Sequence, residues 1–189
     1  MKKGTYLITG CAGFIGSHLV NDLYKNYKLV IVDDLSEGSK RNLPKSLQKK
    51  LIKNKIQNIK NIKIKNLKGI FHMAAQSSVP ISVKNFYESS ENNLLSSLKV
   101  FQIAKENSVP VVYASSSALY GNLPTGDDLK NKIDISSPYA QDKLCLENYA
   151  KVLFKIFNIS SIGLRFFNVY GPKQNANSPY SAVIPIFIN

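Results

Sequence analysis

Ser115-Ser116-Ser117 close an apolar run from Val109 to Ala114, and further along Tyr139-Ala140-Gln141-Asp142-Lys143 sets a phenol and an amine four residues apart. On a helix that spacing shares a face, so Tyr139 and Lys143 can project into one cleft. An ammonium beside a phenol favours the phenolate. It lowers a pKa that is ordinarily about 10 toward the range in which the phenol can take a proton from an alcohol. Ser116 would hold the same alcohol by a hydrogen bond. Taken alone, the Tyr-x-x-x-Lys spacing reads first as an ordinary exposed helix pair, since both residues are common, so the decision falls to the elements around it.

The first of these is Gly4-Thr5-Tyr6-Leu7-Ile8-Thr9, which reads as a short buried strand running into Gly10-Cys11-Ala12-Gly13-Phe14-Ile15-Gly16. Strand, glycine turn and helix is the arrangement in which backbone N–H groups meet a pyrophosphate, although tight helix packing also explains a glycine. A second strand, Lys28 to Val32, ends in Asp33-Asp34, where an acid binds the adenosine ribose diol. A carboxylate there repels a 2′-phosphate and favours NAD over NADP, while Lys40 and Arg41 are cations that could reach such a phosphate. A third clear strand, Gly69 to Met73, ends in Ala74-Ala75, small enough for a flat ligand to lie against the backbone. His72 has no second histidine in a metal-ligand relation and reads as a core residue, so no metal site is expected.

Composition narrows the classes. With 189 residues and 44% apolar content, the chain can bury one core, and no run reaches the ~18 apolar residues of a membrane span. A soluble, cytoplasmic protein is expected, with Cys11 and Cys145 as free thiols. The net charge of +13 raises nucleic-acid binding, but only Arg41 and Arg165 among the 25 cationic residues are arginine. Nucleic-acid surfaces exploit the planar, multi-donor guanidinium, so that class is set aside.

The remaining pattern completes an alternation of strands and helices. Tyr87 to Glu106 has helical spacing, with Leu94, Leu95, Leu98, Phe101, Ile103 and Ala104 on its buried side and Asn93 where that side begins. Pro138 opens a helix running to about Phe157, and Ile159 to Phe167 is a last strand. Between Leu43 and Lys68 the pattern is weak, with a helix and a strand near Ile62 to Ile64 expected. The fold class is α/β, a doubly wound parallel sheet of the Rossmann type. Ligands of such sheets bind beyond the C-terminal strand ends, where the Gly10 turn, Asp33, Ala74-Ala75, Ser116 and Asn168 all fall.

Taken with Arg165-Phe166-Phe167-Asn168-Val169-Tyr170-Gly171-Pro172, these motifs resemble the extended short-chain dehydrogenase/reductase superfamily, and within it the NAD-dependent sugar-nucleotide epimerases. The resemblance implies that Tyr139 is the base, Ser116 its partner and Lys143 the holder of the nicotinamide ribose. It implies an NAD site of Gly10, Gly13, Phe14, Ile15, Gly16, Asp33, Ala74, Ala75, Asn93 and Lys143. For a UDP-sugar substrate it implies Ser78, Ser116, Ser117, Tyr139 and Asn168. Sugar-nucleotide dehydratases of this pattern carry Asp-Glu after their Ser or Thr; here Ser117-Ala118 stand there, which disfavours expulsion of water. Epimerisation at C4 of UDP-N-acetylglucosamine or UDP-glucose through a 4-keto sugar is what remains. A non-catalytic NAD-binding module would not need Tyr139, Lys143 and Ser116 together.

Two departures accompany the resemblance. The family's adenine-contacting aspartate after the third strand is missing, since no aspartate lies between Asp34 and Asp127, so adenine binding is expected to be either weakened or supplied by an asparagine such as Asn66. The family is also longer. Residues 1–171 are expected to form the cofactor domain with the catalytic residues, and 172–189 to begin a truncated substrate domain, leaving little turnover by this chain alone. A homodimer through the helices at 87–106 and 138–157 is implied for the full-length enzyme.

Overall fold

The computed structural model describes residues 3–60, 62–123 and 133–174. Six strands form one parallel sheet: β1 (Thr5–Thr9), β2 (Lys28–Asp33), β3 (Ile52–Lys53), β4 (Leu67–His72), β5 (Val111–Ser116) and β6 (Ser161–Phe166). Their order is β3-β2-β1-β4-β5-β6, so the chain steps outward from β1 to β3, returns beside β1 as β4, and steps outward the other way. Between β1 and β4 the direction of winding reverses, which opens a crevice at the carboxyl ends of those two strands.

Helices cover both faces. Helix α1 (Phe14–Leu23) follows β1, and a short α2 (Lys45–Gln48) precedes β3. After β4 come α3 (Val79–Lys84), α4 (Phe86–Ser90) and α5 (Ser96–Asn107), and α6 (Pro138–Phe157) joins β5 to β6. Because alternate residues of a strand face opposite ways, Leu7 enters one core with Ile70, Val100, Val111 and Leu146, while Ile8 enters another with Ile31, Val20 and Leu47. Covering on both faces is why β1 reads as a near-continuous apolar run, while on β4 and β5 Phe71 and Val112 line an apolar groove. Helix α6 starts cleanly because Pro138 sits in its first turn and Ser137 accepts the Ala140 N–H at 3.1 Å.

Two expectations change. The third strand is Ile52–Lys53, not Ile62 to Ile64; it pairs only with Val32 and Asp33, and two exposed residues leave no alternation to read. Asn66 stands in the turn entering β4 with φ 54°, its carbonyl accepting the Thr5 N–H. That is the amino end of the sheet, opposite the crevice.

The expected 87–106 helix begins at Phe86, where Asn85 ends α3 and caps α4, and it contains a π-helical turn at Glu91–Leu95 before α5. One extra residue in that turn rotates the faces of the helix beyond it. Asn93, Ser96, Ser97, Val100, Phe101, Ile103 and Ala104 are buried, while Leu95 is 47% exposed.

Candidate active site

A cleft of about 330 Å³ lies along the carboxyl ends of β1, β2 and β4, walled by Gly10, Gly13, Asp33, Ser36, Gly38, Asn54 to Gln57, Ala74, Ala75, Gln76 and Asn92 among others. Gly10 makes it possible. Its φ is +66°, and a Cβ there would come within 2.5 Å of the Ala74 backbone nitrogen. Gly16 fixes the helix on the loop, since a Cβ would lie 2.0 Å from the Gly10 carbonyl oxygen. Gly13 begins α1 with no side-chain cap, and the first turn holds no acidic residue. The early N–H groups of α1 therefore lack helical partners and carry the positive end of its dipole, a fit for a pyrophosphate.

Asp33 organises the far side of this loop. Its two carboxylate oxygens accept the N–H groups of Ala12 and Leu35, each at 2.8 Å. Burial raises its pKa and those hydrogen bonds oppose the rise. Each oxygen keeps a second lone pair for a ribose hydroxyl.

Beside the cleft, Ser116, Tyr139 and Lys143 come together, with exposures of 8%, 8% and 4%. Ser116 accepts the Ala118 N–H at 3.1 Å, which closes the turn after β5, and its hydroxyl acts on the Tyr139 phenol in the direction that lowers its pKa. The Tyr139 N–H in turn donates to Ser82 Oγ at 3.1 Å, tying the start of α6 to α3. Lys143 Nζ donates to the Ala114 carbonyl at 2.8 Å and stands 5.6 Å from the Tyr139 ring centre.

The expected activation of the phenol by Lys143 is not what this arrangement gives. Burial raises the Tyr139 pKa, with the Ser116 hydrogen bond opposing and the Asp142 charge adding to the rise. Lys143 is itself pulled down to about 8 by burial, partly offset by Asp142. Lys143 still carries its charge near neutral pH, but its Nζ is directed at the Ala114 carbonyl, and the burial of the phenol outweighs the Ser116 contribution.

Behind these groups runs a buried polar network. Asp142 accepts Ser90 Oγ at 2.7 Å and Asn93 Nδ2 at 3.1 Å, and Asn93 Oδ1 accepts the Gln76 N–H at 2.9 Å. Ser97 Oγ donates to the Asn93 carbonyl at 2.6 Å, so its oxygen is the acceptor for His72 Nε2 at 3.0 Å. His72 Nδ1 then accepts from Thr9 Oγ1 at 2.7 Å. The tautomer is set by the direction of the chain. Burial, and secondarily the Lys143 charge, take the His72 pKa down to about 3, consistent with a neutral imidazole in the core. Under β5 and β6, Arg165 grips Glu147 with Nε at 2.9 Å and Nη2 at 2.7 Å, and Ser115 Oγ donates to the same carboxylate at 2.6 Å.

With this geometry in hand, comparison with known proteins is decisive at the level of family. The profile of the NAD dependent epimerase/dehydratase family matches residues 6–189. The chain belongs to that family. A Methanocaldococcus jannaschii protein provisionally named UDP-glucose 4-epimerase is 36% identical over 97% of this chain and 61% of its own length. The UDP-N-acetylglucosamine 4-epimerase of Methanobrevibacter ruminantium, solved with UDP-N-acetylmuramic acid, is 39% identical with a TM-score of 0.90, over all of this chain and 62% of that one. The Thermus thermophilus UDP-glucose 4-epimerase, solved with NAD, is 30% identical with a TM-score of 0.80, over 93% of this chain and 58% of that one. The chain thus spans about three fifths of the length of these relatives.

For a member of the epimerase/dehydratase family, the side chains distribute unevenly between the two halves of the site. Gly10, Gly13, Asp33, Ala74 and Ala75 line the cleft. Phe14 and Ile15 open α1, but their side chains line a separate apolar groove with Leu164, Phe166 and Tyr170, leaving their backbone N–H groups for the glycine turn. Asn93 is spent on Gln76 and Asp142, bracing the loop that walls the cleft. Ser78 is buried and caps α3, accepting the Ile81 N–H at 3.1 Å. Ser117 begins the turn after Ser116, and Asn168 is exposed beyond β6. Residues 175–189, most of the segment expected to begin a substrate domain, lie outside the described residues.

Sequence reasoning misses Asp142, Ser82, the Thr9-His72-Ser97 relay and the Glu147-Arg165 pair. Asp142 carries a local signal, because it precedes Lys143 and lies one turn from Tyr139. The relay carries none, since its members are far apart in the chain. Among the described residues no cluster could hold a metal ion, and no helix is long and apolar enough to cross a membrane.

Proposed function

We propose that this chain is the cofactor-binding and catalytic part of an NAD-dependent UDP-sugar 4-epimerase, with UDP-N-acetylglucosamine the favoured substrate and UDP-glucose the competitor. The observation that carries the reading is the buried Ser116-Tyr139-Lys143 group beside a glycine-walled cleft that ends in Asp33. The uncapped α1 terminus and the space that a Gly10 side chain would fill suit the pyrophosphate of NAD, and Asp33 suits its ribose. Bound NAD supplies a hydride acceptor and, once reduced, the donor that makes the exchange reversible.

In this reading Tyr139 Oη takes the proton of the sugar 4-hydroxyl and returns it when the carbinol re-forms. Ser116 holds that hydroxyl in line, and Lys143, anchored on Ala114, is placed for a ribose hydroxyl. Because burial raises the Tyr139 pKa, the phenol is a poor base in the free chain and depends on the positive charge of the oxidised cofactor. Asn168 is proposed to contact the sugar-linked phosphate, and Ser78 and Ser117 the sugar. The exposed apolar side chains of Leu95, in the π-helical turn before α5, and of Tyr149, Val152 and Ile156 on α6 favour a homodimer through these two helical segments.

Thermal unfolding with and without NAD tests the cofactor half: at a hundred times its Kd, NAD should add about 2.7 kcal/mol. An unchanged melting curve at millimolar NAD would sink it. Product analysis after incubation with NAD and UDP-N-acetylglucosamine tests the reaction. The C4 epimer, formed slowly and lost in Tyr139→Phe, is expected; a keto-deoxy sugar would replace the epimerase reading with a dehydratase.

A further inference from the structure

Asp142 lies on α6 between Tyr139 and Lys143, and it is buried. A buried carboxylate is costly unless hydrogen bonds meet it. Here both oxygens are met from other elements: Ser90 Oγ of α4 donates to Oδ1 at 2.7 Å, and Asn93 Nδ2 of the π-helical turn donates to Oδ2 at 3.1 Å. The charge of Asp142 adds to the rise in the Tyr139 pKa, so it opposes the phenolate. The acid therefore does not serve the base directly, and its place in the site asks for another reason.

That reason lies in the direction of the Asn93 amide. A carboxylate only accepts, so the end of the amide that faces it is the NH2 group, and the oxygen points the other way. There Asn93 Oδ1 accepts the Gln76 N–H at 2.9 Å. Turned around, the amide would set its NH2 against that N–H, two donors with no acceptor between them. Ser89 Oγ of α4 holds the same residue by its side chain, donating to Gln76 Oε1 at 3.2 Å. Gln76 follows Ala74-Ala75 after β4 and lines the cleft with them. The Tyr139 N–H, bonded to Ser82 Oγ of α3 at 3.1 Å, adds a second tie, so α6 holds both this loop and the helix that follows it.

We infer that Asp142 is a positioning residue for the bound cofactor: it orients the Asn93 amide, and through Asn93 it fixes the cleft wall at Ala74-Ala75-Gln76 relative to the helix that carries Tyr139 and Lys143. The inference rests on the dinucleotide reading of the cleft and adds to it a residue that sets cofactor affinity without touching the cofactor.

Calorimetric titration of the whole chain with NAD tests it. Asp142→Leu removes the acceptor, and Asn93→Asp sets two carboxylates against each other; each should weaken NAD binding by about tenfold. Each should also speed hydrogen exchange of the Gln76 amide while leaving that of Ala118, held by Ser116, unchanged. The double variant Asn93→Asp with Asp142→Asn keeps every bond with donor and acceptor exchanged. The new carboxylate accepts both the Gln76 N–H and the NH2 of the new amide, whose oxygen accepts from Ser90 Oγ. Its Kd for NAD should return to within about threefold of wild type. Loss of folded chain lowers the stoichiometry and leaves the Kd, and where a single variant does not fold, the exchanged pair decides. Single variants that bind NAD as the wild type does overturn the inference. So does an exchanged pair that binds as weakly as they do, or that does not fold. A wild-type chain that does not bind NAD overturns the dinucleotide reading itself.

Discussion

Lys143 ionises so far below its ordinary range that the chain's stability should register it. Burial lowers its pKa from 10.5 to about 8, with Asp142 opposing. Between pH 8 and 10.5 the unfolded chain holds a proton on this lysine that the folded chain has released, so stability rises with pH across that window. The full shift is equivalent to about 3.4 kcal/mol. Integrating from about pH 7 to 9.5 gives a gain of about 2 kcal/mol, since near pH 7 the strained charge is still in place. The window avoids Tyr139, whose raised pKa acts in the opposite sense only above pH 10. Urea unfolding of the wild-type chain and of Lys143→Met at half-unit steps of pH measures the difference directly. The difference in stability, wild type minus variant, should climb by about 2 kcal/mol from about pH 7 to 9.5. Parallel curves would refute the reasoning, showing that the amine is solvated or fully compensated by Asp142, whatever the absolute stability of the variant.

The remaining expectations concern the scaffold. Gly16→Ala drives a methyl to 2.0 Å from the Gly10 carbonyl and should lower stability by roughly 1–3 kcal/mol and weaken the NAD-induced shift in Tm; a variant with both unchanged would deny the close packing. Burial pushes the Glu147 carboxyl up, but hydrogen bonds from Arg165 and Ser115 and the Arg165 charge outweigh it and leave the pKa below 4.5. The stability it contributes is present above pH 4.5 and lost as pH falls through the lower folded value, so Glu147→Gln should flatten the acid limb of the stability curve, measured by thermal unfolding between about pH 3 and 6. His72→Phe leaves Thr9 and Ser97 without their partner and should cost about 1–3 kcal/mol in urea unfolding, whereas His72→Gln, able to donate and accept, should recover part of that.

How much of the fold and site is legible in the chain depends on how local each feature is. The glycine turn, Asp33 at the end of β2, Ala74-Ala75 after β4 and the capped start of α6 are set by neighbours in sequence, and each falls where its pattern places it. The third strand escapes the pattern because a two-residue edge strand is defined by its pairing with Val32 and Asp33 and carries no periodicity of its own. The helix before β5 departs from its apolar spacing because a π turn inserts a residue without any marker in composition. It puts serines and Asn93 on the buried side where leucines are expected.

The sequence by itself determined the kind of fold and the chemistry on offer: apolar runs that need cover on both faces, glycines where a backbone must approach another, and a phenol, an amine and a hydroxyl at compatible spacing. Only the tertiary structure decided their ionisation and their partners. Spacing says that Tyr139 and Lys143 share a helix face, but burial, the Ala114 carbonyl in β5 and the carboxylate of Asp142 decide which of them carries charge. The same holds for Lys55, an inconspicuous lysine in a lysine-rich stretch until β3 and the π turn bring it against Asn92. Proton affinity and donor direction are set by what surrounds a group in space, and the order of residues along a chain does not contain that until the chain has folded.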